Sequence, residues 1–295
     1  MKLKFIINPV AENGTAGKGT WPKIKNFFET RNVPFSMEKT LAPGDGTLLA
    51  KKAVEEGFAT IIAVGGDGTA SEVVNGIVGS DVTFGIIPCG EGNDFAKVIG
   101  LSRMNLKASC ETILDGFIKK IDIGIVNGRH FYNMVGIGID AEVAELKEKT
   151  FNFLHGFYAY LALTIPMLFL YKPKRLKIKF DGASMESNVL WIVIGNGKYS
   201  GGGFKFTPLA KIDDGLFDVC LAQYPGIWYM IRHFSKIPKG RHIHLPVVFN
   251  FKVSEINIAS DITITAHVDG EIIKERNFNI KILPRALKMI VKKPV

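Results

Sequence analysis

The sequence predicts two domains: an α/β domain with a parallel sheet and crossover helices, then an all-β domain built as an antiparallel sandwich. Three observations carry that expectation. The first is Thr60-Ile61-Ile62-Ala63-Val64-Gly65-Gly66-Asp67-Gly68-Thr69, a short apolar run that stops at two glycines. It continues into a stretch with Val73, Val74 and Ile77 on one helical face, so it reads as buried strand, glycine turn, helix. The second is another strand, Val82 to Pro88, followed by its own glycine turn, Cys89 to Asp94, and a helix start. The third is the change after Ile121, where short alternating segments replace helical periodicity. A chain of 295 residues with 47% apolar content is long enough for two cores.

In the first domain, residues 1–122, Lys4 to Ile7 reads as a strand ended by Asn8-Pro9. A glycine-rich loop follows over Val10 to Gly19, then a helix from Trp21 to Phe28. Phe35 to Thr40 is a second strand and Thr47 to Glu56 a second helix, leading into the central strand. The loop invites a phosphate-loop reading, but Glu12 stands where the first glycine belongs and Gly19 follows Lys18, so the match fails at both ends.

In the second domain, residues 123–295, strands are expected at Ile121 to Val126, His130 to Val135, Leu176 to Phe180, Leu190 to Ile194 and Phe217 to Ala222. Further ones fall at Ile256 to Ile258, Ile262 to Val268 and Phe278 to Ile282. Phe151 to Tyr171 interrupts them with no charged residue. Its length suits a membrane span, and Lys172, Lys174 and Arg175 would flank it. A span would put Asp67 and Asp94 on one side of the membrane and the acidic residues after Lys211 on the other, and Pro166 is expected to break the helix. A helix packed on the second domain and dipping into the membrane interface is the favoured reading, with a buried core helix as the plainer one.

Composition narrows the partners. The excess of 37 basic over 28 acidic residues, +9 net, suits nucleotide phosphates or an anionic membrane surface. The basic residues are spread out and no nucleic-acid-binding signature is present, so nucleic acid is not expected. Cys89, Cys110 and Cys220 are too few and too scattered for a disulfide framework or a metal cluster, which fits a reducing cytosol. Cys89 has no histidine near it in sequence to make it a nucleophile. His242 and His244 would share a strand face, without a third ligand nearby. Arg175-Leu176-Lys177-Ile178-Lys179 alternates and would show a basic strand face, either simply solvated or turned to lipid headgroups.

The glycine turns carry the chemistry. Each directs backbone N–H groups and a helix start at one spot, where phosphates are stabilised. Asp67 in such a turn can hold Mg2+ or take a proton from an attacking hydroxyl. Asp213-Asp214-Gly215 and Asp269-Gly270-Glu271 are ordinary turn signals when taken alone.

Taken together these motifs resemble the diacylglycerol kinase, sphingosine kinase and NAD kinase superfamily, and within it the bacterial diacylglycerol kinases. The resemblance rests on Asn8-Pro9 with the glycine-rich loop, Thr40, Gly65 to Thr69, Pro88 to Ala96, Asp213 to Asp218 and Asp269 to Glu271, in family order over nearly the whole chain. It implies an ATP-dependent lipid kinase with a nucleotide cleft between the two domains. The residues it puts at nucleotide are Asn8, Pro9, Gly14, Gly17, Lys18, Thr40, Gly65, Gly66, Asp67, Gly68, Thr69, Glu72, Gly90, Glu91, Asn93 and Asp94. It implies a structural Mg2+ on the Asp214 carboxylate and the carbonyls of Lys211 and Leu216, and Asp67, Asp269 and Glu271 as candidates for the proton acceptor. The segment from about 284 to 295 is similar to a closing strand that returns to the first domain. Glu91 and Ser71 depart from the family, which has Thr and Asn there.

The expected substrate is diacylglycerol or a related lipid alcohol at a membrane surface, with the protein cytoplasmic and peripherally associated; a homodimer is compatible with the sequence. An NAD kinase shares the first glycine turn but carries a second Gly-Ser-Thr-Ala-Tyr type motif that is missing here. A nucleotide-dependent membrane-binding regulator without turnover would not need so many carboxylates near phosphates.

Overall fold

The computed structural model describes residues 2–11, 14, 16–150 and 156–293. The chain divides into two compact units, Met1–Asp122 with Arg285–Val295, and Ile123–Pro284.

The first unit runs β1 (Leu3–Ile7), a π-helical turn over Ala16–Thr20, α1 (Trp21–Glu29), β2 (Phe35–Lys39), α2 (Asp45–Glu55), β3 (Thr60–Gly65), α3 (Asp67–Ile77), β4 (Thr83–Pro88), α4 (Asp94–Val98) and α5 (Leu106–Asp115). β1 pairs parallel with β2 and β3, and β3 pairs parallel with β4. β1, β3 and β4 are buried along their whole length, which is why apolar residues stand on both faces without alternation, the buried Lys4 of β1 being paired with Glu38. Phe5 anchors the core, with Trp21, Phe28 and Phe35 at ring separations of 5.1–5.5 Å. The register of β3 and β4 positions the site: Gly65 lies opposite Pro88, so the turns leaving the two strands start side by side.

The second unit contains β6 (Arg129–Phe131), β7 (Met134–Gly138), α6 (Ile139–Thr150), α7 (Gly156–Leu170), β8 (Lys174–Phe180), β9 (Ala183–Gly195), β10 (Phe217–Gln223), α8 (Ile227–His233), β11 (Val248–Val253) and β12 (Glu255–Val268). β5 (Phe117–Val126) enters it and β13 (Glu271–Val291) leaves it. The described pairings within this unit are antiparallel. The long strands β9 and β12 each pair with β7 at one end and β8 at the other, around a core of inward residues such as Val135, Ile178, Ile192, Phe217 and Ile256. The two segments expected at 256–258 and 262–268 are one strand, β12, whose register to β13 shifts between Ala259 and Ile264. β13 turns back through Asp269 (φ 50°) and Gly270 (φ 91°), the left-handed pair of a type I′ hairpin. After Pro284 its last residues lie in the first unit, with Lys288 and Met289 parallel to Thr83 and Phe84 of β4.

Several expectations change. Pro166 lies inside α7 and does not end it: Leu168 and Tyr171 are buried beyond it, and the Tyr171 N–H closes the last turn on Met167 O at 2.8 Å. Residues 151–155 of the expected helix lie outside the described residues. Among the described residues, no helix is long and apolar enough to cross a membrane. His242 and His244 sit on a 3₁₀ turn, one buried and one exposed, because Gly240 (φ 67°) ends any extended run before them. Among the described residues, no group of three or more His, Cys, Asp or Glu side chains is gathered for a metal. β8 does alternate, but Arg175 pairs with Glu186 and Lys177 with Asp261, so much of its basic face is neutralised.

Candidate active site

Two glycine turns touch in the first unit. A Cβ on Gly90 would lie 2.4 Å from the Gly66 Cα, so neither a side chain nor a looser turn fits between them. Gly65 is equally constrained, because a Cβ there would meet Thr69 Oγ1 at 2.4 Å. That Thr69 oxygen receives the Asn8 side-chain N–H at 3.2 Å, which ties the end of β1 to the start of α3. Asn93 takes the left-handed conformation (φ 47°), and its side-chain oxygen accepts the Gly90 N–H at 2.9 Å, closing the second turn. Thr40 N–H donates to Ile7 O at 2.9 Å beside the same strand end. Gly17 packs on Pro9, with a Cβ position 3.0 Å from the proline ring, and Lys18 beside it is exposed.

Asp67 opens α3, and no side chain caps that helix. Its Oδ1 accepts the Asp94 N–H at 2.9 Å, and Asp94 in turn pairs with Lys97 at 2.8 Å. A Cβ on Gly92 would lie 2.8 Å from Asp67 Oδ2 and 3.5 Å from Asp94 Oδ2, so that glycine leaves a small space facing two carboxylates. Although Asp67 keeps a part-open surface, its carboxyl lies deep. Burial first, and then the charge of Asp94, push its pKa up to about 7 against the pull of the Phe95 and Asp94 amides and Lys97. Paired carboxylates in a glycine-lined space suit a divalent cation carried by phosphates, which would relieve their repulsion.

Glu72 behaves differently from its neighbours. Its two carboxylate oxygens accept the Gly44 and Gly46 N–H groups, each at 2.8 Å, so it clamps the start of α2.

In the second unit, Asp269 is buried and accepts three backbone N–H groups: Tyr132 at 2.9 Å, Asn133 at 3.0 Å and Met134 at 2.9 Å. Burial raises its pKa to about 6, and those three amides and His267 hold it from rising further. Glu271 forms an ion pair with Arg129. Asp214 accepts the Leu216 N–H at 3.3 Å and pairs with Lys252 at 2.6 Å, whose ammonium also reaches Asp218 at 3.4 Å. Burial raises the Asp218 pKa. An ammonium standing between two carboxylates marks a place suited to a cation.

Sequence reading missed a cavity in this unit, walled by α6, α7, α8 and β9 and lined mainly by apolar side chains such as Val143, Leu168, Leu190, Phe206 and Met230. Asp140 and His267 form a buried hydrogen-bonded pair in its wall, 3.1 Å apart, each with a second side-chain atom that has no partner. Gly136 exists to admit them, since a Cβ there would fall 2.0 Å from Asp140 Oδ2. No local spacing in the sequence signals this pair, whose members lie 127 residues apart. Asp122 was also missed; it is fully buried and accepts the Arg285 N–H at 2.7 Å.

Residues 2–126 match the diacylglycerol kinase catalytic domain, and residues 133–291 match the YegS C-terminal NAD kinase β-sandwich-like domain. The chain is 30% identical over 276 residues to a diacylglycerol kinase of Bacillus subtilis, covering 92% of this chain and 89% of that protein. It is 32% identical to a diacylglycerol kinase of Staphylococcus aureus, covering 92% and 86% of the two chains. A crystal structure of a protein assigned as a diacylglycerol kinase from Bacillus anthracis superposes with a TM-score of 0.79 at 26% identity, over 99% of this chain and 97% of that one. A kinase catalytic domain on residues that gather Asp67 and Asp94 between glycine turns, continued by its companion sandwich domain, makes this chain an ATP-using kinase of the diacylglycerol kinase family.

Proposed function

We propose that the protein transfers the γ-phosphoryl group of ATP to a primary hydroxyl of a membrane lipid, diacylglycerol or a related lipid alcohol. The observation that carries this reading is Asp67, raised to about 7 beside Asp94 in the glycine turns of a kinase catalytic domain. The apolar cavity of the second unit supports a lipid acceptor over a dinucleotide. The curated relatives that span nearly the whole chain carry the name diacylglycerol kinase, which favours the same choice over an NAD kinase.

In this mechanism the amides of the two glycine turns and the start of α3 bind the phosphates, with Asn8, Thr40 and Lys18 on the nucleotide. Asp94 would hold the Mg2+ that travels with the nucleotide, and that ion would supply charge neutralisation on the transferring group. Asp67 takes the proton of the acceptor hydroxyl as its oxygen bonds to phosphorus and the bridging oxygen leaves with ADP. A base titrating near 7 is matched to that task at cytosolic pH. Asp269 and Glu271 then serve position: Asp269 holds the turn before β7 and Glu271 holds Arg129. A second Mg2+ on Asp214 and the carbonyls of Lys211 and Leu216 would be structural, displacing the Lys252 ammonium. The protein works from the cytoplasm as a peripheral membrane enzyme.

A panel of lipid alcohols in detergent mixed micelles with labelled ATP tests the reading. Phosphorylation of a lipid primary hydroxyl is the expected result; label appearing in NAD and in no lipid overturns it.

A further inference from the structure

Most of the side chains lining the cavity of the second unit are apolar. Five of its lining residues, Asp140, Trp191, His233, His242 and His267, nevertheless each hold a buried side-chain atom with no hydrogen-bond partner among the described residues. Buried polar atoms are almost always satisfied, so a cluster of exceptions on one wall has a cause. Three of the five have a plain one. His233 is only half-buried. Trp191 and His242 stand with ring centres 5.9 Å apart. The indole N–H donates, while His242, kept neutral by burial that lowers its pKa to about 4, gives its Nε2–H to Phe206 O at 3.1 Å and leaves Nδ1 as an acceptor. A donor and an acceptor so placed can share one water.

Asp140 and His267 have no such complement. Their side chains are 6% and 3% exposed. Asp140 Oδ2 accepts the Nε2–H of His267 at 3.1 Å, which leaves Asp140 Oδ1 and, in the neutral ring, His267 Nδ1. Both are acceptors, so neither can satisfy the other. Asp140 lies in the first turn of α6, where the helix N–H groups favour a charged carboxylate. Farther along the same helix Glu145 is fully served, by Lys149, Lys274 and Thr265. Gly136, opposite His267 in the pairing of β7 with β12, has no Cβ to fill the place that the pair takes.

An apolar cavity with a few convergent polar groups is the usual form of a small-molecule site, and these two groups require a donor. In the reaction proposed above, the acceptor hydroxyl gives its own proton to the base. The donor that Asp140 lacks must therefore be a second one. Diacylglycerol has none left, because its other oxygens belong to esters and only accept. An amine or a second free hydroxyl supplies it.

We propose that Asp140 and His267 determine specificity: they bind a hydrogen-bond donor that the acceptor lipid carries besides its reacting hydroxyl, so that a long-chain amino alcohol or a monoacylglycerol is preferred to a diacylglycerol. This deepens the lipid kinase reading and rests on it.

The test takes the full chain, labelled ATP and detergent mixed micelles with three acceptors of matched chain length: a diacylglycerol, a monoacylglycerol and a long-chain amino alcohol. The expected result is a kcat/KM at least about tenfold higher for one of the last two than for diacylglycerol, the scale of one hydrogen bond to a charged group. A lead for the amino alcohol assigns the donor as an amine, and a lead for the monoacylglycerol assigns it as a hydroxyl. Asp140→Asn, whose amide can turn its NH2 into the cavity, should raise KM for the preferred lipid and bring its advantage over diacylglycerol to within about threefold. Diacylglycerol used as well as both others overturns the proposal whether or not that variant folds. An advantage that survives Asp140→Asn also overturns it, since Asp140 then serves a buried water or only holds His267. Trp191 on the same lining gives a readout free of turnover: a long-chain amino alcohol or monoacylglycerol brominated in its chain should quench tryptophan emission, and Trp191→Phe should remove that quenching. Equal quenching by a brominated diacylglycerol at the same concentration overturns the proposal. Selective quenching with no lipid phosphorylated would keep the recognition by Asp140 and His267 and remove the kinase reading beneath it.

Discussion

Asp67 and Asp269 are both followed by glycine and both pushed towards neutrality by burial, yet their surroundings differ in kind. In the first unit Asp67 stands at the open start of a helix with another carboxylate beside it, and its Oδ2 faces the space left by Gly92. In the second unit Asp269 is enclosed by three backbone N–H groups from consecutive residues. Under the proposed function, what separates Asp67 from Asp269 is not burial, which both share, but the second carboxylate beside Asp67 and the three consecutive amides on Asp269.

The sharpest way to break that comparison is Asp67→Asn. Turnover should fall at least about a hundredfold, the scale of a lost acid–base group, while the melting temperature near neutral pH holds or rises, because the amide does not carry the charge that burial penalises. In the wild type the rate should rise with pH through about 7 as Asp67 deprotonates. Stability should move the other way. A carboxyl with a raised folded-state pKa contributes stability below its unfolded value near 4, and that contribution is lost as pH rises through about 7. Asp67→Asn should flatten this slope in denaturant titrations run at several pH values. Near-normal turnover in the variant would remove Asp67 from the chemistry.

Asp269→Asn should show the reverse balance. An amide NH2 replaces one acceptor oxygen, so at least one buried backbone N–H loses its partner and stability should drop by about 2–3 kcal/mol in urea unfolding. Unchanged stability with abolished turnover would give Asp269 the proton and make Asp67 the anchor.

The two units were unequally legible from the sequence. Strand, glycine turn and helix are local patterns, and Gly65, Gly66, Asp67, Gly90, Asn93 and Asp94 meet because two adjacent strands end in register. The second unit depends on pairing between distant segments. The ring of β7, β9, β12 and β8 brings Gly136 opposite His267 and leaves the cavity whose wall holds Asp140, and no local spacing encodes that. Nor does the sequence signal that the Glu72 carboxylate accepts the Gly44 and Gly46 N–H groups at the start of α2, a contact between segments far apart in the chain.

Asp214 sharpens the comparison from within the second unit, where carboxylates are satisfied internally. Lys252 already neutralises Asp214, its own pKa raised by that hydrogen bond. If Mg2+ takes the place of the ammonium, chelator should lower the wild-type melting temperature by a few degrees without nucleotide, because an ion bound only to the native state stabilises it by mass action. Asp214→Ala should abolish that dependence. Equal shifts in the two proteins would mean that Lys252 is the cation this loop uses.

The smallest expected effect concerns Glu91, which stands between the buried Gly90 and the Gly92 that makes room for Asp67 and Asp94. A Thr hydroxyl there could donate to a phosphate or ribose, whereas an ionised Glu only accepts and would repel nearby phosphates. Its useful partners on the proposed function are ribose hydroxyls, an amino group of the base, Lys18 or a magnesium ion, and each of these is expected on the nucleotide side of the reaction. The apolar cavity, by contrast, is lined by residues of the second unit. Glu91→Thr should therefore change the KM for ATP or the Mg2+ requirement by about threefold to tenfold and leave the KM for lipid within about twofold. Steady-state kinetics with each substrate varied in turn separates the two. A shift confined to the lipid constant would place the acceptor, and not the nucleotide, at the glycine turns of the first unit, and would undo the division of labour between Asp67 and Asp269.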